Sequence, residues 1–153
     1  MHQAKLLLAH PDVNVNITHN YSWTPLVEAA NSRHLDIVQL VLAHTNVNRS
    51  LVYRNGYTPL HLAAATGYAD MLNKLINENT VGVNAQDEYG KTPLHYAAEK
   101  GRLESVKLLL TVSHTITVNA KDEFGYTPLS LSIDSLSANK QQVCDLLSQH
   151  QAI

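Results

Sequence analysis

The chain has one cysteine, Cys144, so no disulfide framework can form within it, and a reducing compartment is the simplest expectation. No apolar run approaches the roughly 20 residues a helix needs to cross a bilayer, so no membrane insertion is expected. Residues 1–9 read as an amphipathic helical piece without the long apolar stretch and cleavage site of a secretory signal. Neither sign of charge is in excess: 11 Lys and Arg stand against 13 Asp and Glu, which argues against nucleic acid as the partner. No His-Glu-x-x-His, paired-cysteine or carboxylate cluster with metal spacing is present, and no glycine loop that could cradle phosphate. Cys144 has no catalytic motif around it and reads as a free core or surface thiol. The expectation is therefore a protein that is not an enzyme, holds no cofactor and no metal, and works in the cytoplasm or elsewhere inside a cell.

What the chain does have is repetition. Thr24-Pro25-Leu26, Thr58-Pro59-Leu60-His61, Thr92-Pro93-Leu94-His95 and Thr127-Pro128-Leu129 follow one another at intervals of 34, 34 and 35 residues. Each is followed by a short apolar run, a break and a second apolar run. A period of this length marks a stack of one supersecondary unit, which presents a long rigid surface more readily than a catalytic pocket.

One unit can be read residue by residue. Thr58 is a good N-cap, and Pro59 at the first helical position needs no amide donor. Leu60, Ala63 and Ala64 make a narrow apolar face, and Gly67 ends the helix where a left-handed residue costs glycine least. A second helix is predicted over residues 69–77 with Met71, Leu72, Leu75 and Ile76 inward. After Val83-Asn84 comes an extended segment that turns at Tyr89-Gly90. The next unit repeats the scheme with Leu94, Ala97, Ala98, Gly101, Val106 and Leu109. Helices of about two turns are not stable alone in water, so the units must stack, and the paired alanines let neighbouring helices approach closely.

The run Thr58-Pro59-Leu60-His61-Leu62-Ala63-Ala64, with Gly67 after it and Val83-Asn84 closing the unit, resembles the ankyrin repeat. The resemblance implies an all-α, ankyrin-repeat solenoid of stacked helix-turn-helix units joined by β-hairpin loops. It covers a single domain, residues 1–153, with a half repeat at 1–16 and repeats at about 17–48, 49–84, 85–119 and 120–153. Several positions depart from the pattern. Val27 stands for the motif histidine and Arg33 for the helix-ending glycine, where a left-handed non-glycine residue costs roughly 1–2 kcal/mol. Residues 111–117 read as an extended outer loop. In the last unit Ser130, Ser132 and Ile133 replace His, Ala and Ala, and a final helix over about 141–149 reads as a C-terminal cap. At the other end Leu6-Leu7-Leu8-Ala9-His10 matches Leu40-Val41-Leu42-Ala43-His44, a second helix without its first. Two readings of that half repeat stand: material precedes Met1 in a longer parent, or this is an imperfect native cap.

The resemblance also implies where a partner is held, along a concave groove of hairpin tips and first-helix faces. The positions are Tyr21, Trp23, Arg54, Asn55, Tyr57, Thr66, Gln86, Glu88, Tyr89, Lys91, Glu99, Lys100, Lys121, Glu123, Phe124 and Tyr126. Of nine aromatics, seven lie in the hairpins, and Trp23, Tyr57, Lys91 and Tyr126 recur just before the motif threonine. Aromatic anchors on a rigid rim suit a protein partner, although aromatics also pack across neighbouring hairpins. The expectation is a non-catalytic protein-interaction scaffold, monomeric, with edge contacts through the half repeat. The alternative is the targeting module of a larger enzyme, or of a translocated effector acting in a host-cell cytosol. His61 and His95 sit three residues after a cap threonine, placed to bond neighbouring backbone. His10 and His44 end second helices, where an imidazolium would suit the helix dipole.

Overall fold

The computed structural model describes residues 10, 13–18, 24–44, 46–48, 54–78, 82–112 and 116–151. Most of the half repeat at 1–16 lies outside them, as do Tyr21, Trp23 and the middle of the loop at 111–117.

Each unit starts from the same local chemistry. Thr24, Thr58, Thr92 and Thr127 hold extended backbone as N-caps, each followed by proline at the head of a helix. The first helices that result are α1 (Pro25–Asn31), α3 (Pro59–Thr66), α5 (Pro93–Glu99) and α7 (Pro128–Ile133). The second helices are α2 (Leu35–Ala43), α4 (Ala69–Asn77), α6 (Leu103–Thr111) and α8 (Lys140–Gln151). Helix α8 runs past the predicted 141–149 because no glycine or proline interrupts residues 140–151.

In the first three units the turn between paired helices uses a left-handed residue. Gly67 and Gly101 supply it at φ 73° and 60°, and Arg33 takes the same conformation at φ 57°. At Gly67 the requirement is also steric. A Cβ there would stand 2.9 Å from Cδ of Arg102, which crosses the helix end to donate to the Ala65 carbonyl at 3.0 Å.

First helices stack on first helices (α1, α3, α5, α7) and second on second (α2, α4, α6, α8), so the units pile in a single line. The core follows that line. Leu26, Leu60 and Leu94 are buried at equivalent positions, with Val38, Leu72, Val106 and Val143 from the second helices. Burying each leucine contributes about 2 kcal/mol. Ala30, Ala64 and Ala98 are covered by the following first helix, whereas Ile133 at the same position is exposed. Leu136 is exposed as well, while Val143 and Leu147 on α8 are buried and its other side is polar. Asparagines stitch successive units: Asn16 Oδ1 accepts the Asn48 amide at 2.6 Å, and Asn84 Oδ1 accepts that of Thr117 at 2.7 Å.

Candidate functional site: the hairpin rim and first-helix groove

The hairpins between units are tight turns with no strand among the described residues beyond a single bridge at Tyr57. Asp87 N–H donates to the Lys91 carbonyl at 3.0 Å, and Asp122 N–H to that of Tyr126 at 2.9 Å. The aspartate side chain closes each turn from inside. Asp87 Oδ1 accepts the amides of Tyr89 (3.0 Å) and Lys91 (2.9 Å), and Asp122 Oδ1 those of Phe124 (3.0 Å) and Tyr126 (2.8 Å). Successive tips are joined by backbone: Glu88 N–H reaches the Asn55 carbonyl at 2.7 Å, and Glu123 N–H that of Tyr89 at 2.9 Å. A Cβ on Gly90 would come within 3.0 Å of the Glu123 nitrogen, so glycine is what lets the tips approach.

Behind the rim lies a packed cluster. The Tyr57 ring stacks on His61 (5.2 Å between centroids) and meets Tyr96 edge-on (5.0 Å). The Tyr96 hydroxyl donates to Asp87 Oδ2 at 2.6 Å, and Lys91 Nζ sits 5.5 Å over the Tyr96 ring. Lys91 also pairs with Glu99 at 2.7 Å, and Lys100 with the other Glu99 oxygen at 3.1 Å. Burial, then the hydrogen bond to Asp87, pushes the Tyr96 hydroxyl well above the usual phenol range, and burial next to Asp87 does the same for Tyr57. Both stay protonated, and the Tyr96 hydroxyl is a donor. Burial would raise Glu99, but its hydrogen bonds from Lys91 and Lys100 outweigh that and hold it below the usual carboxylate range. Toward the last unit lies a cleft of about 690 Å³ whose walls include Lys91, Glu99, Lys100, Leu131, Asp134 and Leu136.

The residues expected to meet a partner divide accordingly. Asn55, Gln86, Glu88, Lys100, Lys121 and Glu123 are exposed along the tips and helix ends. Among the described residues Phe124 is the most open aromatic, 70% exposed, with Tyr126 at 47% and Tyr89 at 44%. The Tyr89 hydroxyl accepts from Asn55 Nδ2 at 3.2 Å, tying two tips together. Tyr57, Lys91 and Glu99 are half-buried in the cluster just described, and Thr66 is half-buried with its hydroxyl on the Leu62 carbonyl at 2.8 Å. Arg54 lies in the short 3-10 turn Arg54–Gly56. Tyr21 and Trp23 are outside the described residues. Sequence reasoning passed over Asp87, Asp122 and Tyr96. The two aspartates recur 35 residues apart, three positions before a hairpin glycine, and that spacing was the available signal.

The histidines are engaged in the fold. His61 and His95 bond backbone on both ring nitrogens, and His44 Nδ1 accepts the Asn46 amide at 3.3 Å. Cys144 Sγ lies 3.1 Å from the Ser132 hydroxyl between α7 and α8. Among the described residues no group of three or more His, Cys, Asp or Glu could hold a metal ion, and no helix is long and apolar enough to cross a membrane.

Paired helices, hairpins at one edge and a line of stacked units define a repeat solenoid with a long one-sided surface. A family model described as ankyrin repeats, in three copies, matches residues 2–87, 43–122 and 79–153, and the chain belongs to the ankyrin-repeat family. Ankyrin repeats are generally protein–protein interaction modules and typically non-catalytic, and no catalytic domain is found in the chain. A comparison with curated proteins gives no match.

Proposed function

We propose that the chain is a non-catalytic scaffold that holds a partner protein along the concave groove formed by hairpin tips and first helices. The observation that carries this reading is the exposure of Tyr89, Phe124 and Tyr126 on a rim whose backbone is already locked by the Asp87 and Asp122 turns. Rigid, preorganised aromatics lose little entropy on binding and serve as interface anchors. Lys100, Lys121, Glu88 and Glu123 around them supply mixed charge, which favours orientation and specificity over raw affinity.

The test is affinity capture from cell extract, followed by calorimetry on the captured protein with the wild type and the Phe124→Ala/Tyr126→Ala double variant. The double variant is expected to bind at least about tenfold more weakly at unchanged melting temperature. Equal affinity in the two proteins would remove the rim from the interface.

A further inference from the structure

Of the three turns that use a left-handed residue between paired helices, two carry glycine and one carries Arg33. Glycine would meet a φ of 57° without the crowding that a Cβ brings, so the arginine is kept against a conformational cost. Residues held in strained backbone cluster at sites that use their side chains. The Arg33 carbonyl accepts from the Tyr68 hydroxyl at 3.1 Å, so the next unit grips the strained residue. Arg33 lines a cleft of about 390 Å³ along the helix-turn edge, at the end of the first helices away from the hairpins. Thr66, Glu104, Ser137 and Asn139 line it too, and so does Arg102. The chain of Arg102 passes where Gly67 has no Cβ, and its Nε donates to the Ala65 carbonyl at 3.0 Å. One of five guanidinium donors is thereby engaged, and the four on Nη1 and Nη2 remain as a fork. Both arginines are exposed, and among the described residues neither is paired with a carboxylate. Glu104, the acid in the wall, is taken by Lys107 at 2.7 Å. In a chain of net charge −2, this cleft holds two guanidiniums without counter-charge.

We propose that this cleft binds an acidic segment of a partner protein, with Asp or Glu carboxylates of that segment taken by Arg33 and Arg102. A planar carboxylate matches the fork of Arg102, whose orientation is set before anything binds. A phosphate suits the place less. The Leu103 amide at the head of α6 already donates to the Gly101 carbonyl at 3.1 Å, and Glu104 in the wall repels a dianion more than a single carboxylate. The cleft uses none of the hairpin residues, so it is a second surface, tested apart from the rim.

Fluorescence anisotropy at low salt with labelled hexaglutamate and hexaglutamine peptides tests it, together with the Arg102 Nε–H resonance. Hexaglutamate is expected to shift that resonance and to bind the wild type about tenfold more tightly than hexaglutamine, as two exposed ion pairs would give. Arg33→Gly should weaken hexaglutamate binding about threefold, the worth of one such pair. The same variant should melt no lower than the wild type, because its turn is relieved, so lost binding cannot be put down to lost folding. Equal binding of the two peptides, or unchanged binding by Arg33→Gly, would overturn the proposal. Shifts confined to the hairpin tips would overturn it as well. Inorganic phosphate moving the Arg102 resonance at lower concentration than hexaglutamate would mark a phosphate site in its place. Binding at Phe124 and Tyr126 is measured separately, so failure here leaves that result standing.

Discussion

His61 Nε2 donates to the Lys91 carbonyl at 2.9 Å while its Nδ1 accepts the Thr58 amide at 3.1 Å. One ring thus completes the cap of its own helix and anchors the hairpin of the next unit, 30 residues away. His95 repeats this with Tyr126 at 3.0 Å and Thr92 at 3.1 Å. An amide can only donate, so both rings are held neutral with the proton on Nε2. Ser130 at the third such position keeps the local half, accepting the Thr127 amide at 2.8 Å, and its hydroxyl turns back to the Thr127 carbonyl.

Acid should weaken the stack through these two rings. Burial lowers the imidazole pKa of His61 and His95 in the folded state, so below the ordinary value of about 6.5 the unfolded chain binds more protons. The stabilisation is complete above that value and is lost as pH falls toward the lower folded values. Chemical denaturation at pH 7.5 and 5.5 should show a clear drop for the wild type. The His61→Ser/His95→Ser variant should be less stable at pH 7.5 and show a shallower slope.

Relief of one strained turn should stabilise the protein. Arg33 sits at φ 57°, where relief of the left-handed cost returns roughly 1–2 kcal/mol and the added freedom of glycine in the unfolded chain takes back about 0.5–1 kcal/mol. Arg33→Gly is therefore expected to gain up to about 1.5 kcal/mol. Gly67→Ala should lose at least about 1 kcal/mol, because its Cβ also meets Arg102. Urea titration of both variants reads the two signs directly.

The tyrosines before the motif should divide between folding and binding. Tyr57→Ala removes a ring packed on His61 and Tyr96 and is expected to cost about 2 kcal/mol of stability. Tyr126→Ala should change stability by less than about 0.5 kcal/mol, since its ring is largely open. A pair of melting curves distinguishes them.

Removing one hydroxyl should leave a buried hairpin carboxylate oxygen unmatched. Tyr96→Phe leaves Asp87 Oδ2 without its donor, at a cost of about 1–3 kcal/mol, while Asp87→Ala also frees the amides of Tyr89 and Lys91 and should cost more. Thermal unfolding should rank them wild type, Tyr96→Phe, Asp87→Ala.

Much of the fold was legible before any coordinates. Threonine caps, prolines at the first helical position and glycines after the first helices act over a few residues, so their spacing alone locates the helices. Arg33 in place of glycine left a reshaped turn or a locally weak one open, and the residue takes the left-handed conformation at φ 57°. The packing of the rim side chains was less legible. Tyr57 and Lys91 occupy one position in the repeat, yet one is half-buried under Tyr96 and the other bridges to Glu99. Nothing in either residue's own neighbourhood in the chain distinguishes those fates.

The amino-acid order by itself determined the unit, its period and its stacking, because capping, turn conformation and the burial of short amphipathic helices depend on near neighbours. Only the tertiary structure decided which side chains of the rim are spent on the next unit and which stay open, down to a single unmatched oxygen on Asp122. Those outcomes depend on contacts between residues about one repeat apart, where Tyr96 on one helix and Leu131 at the same place on the next differ in what they can offer an aspartate in a hairpin.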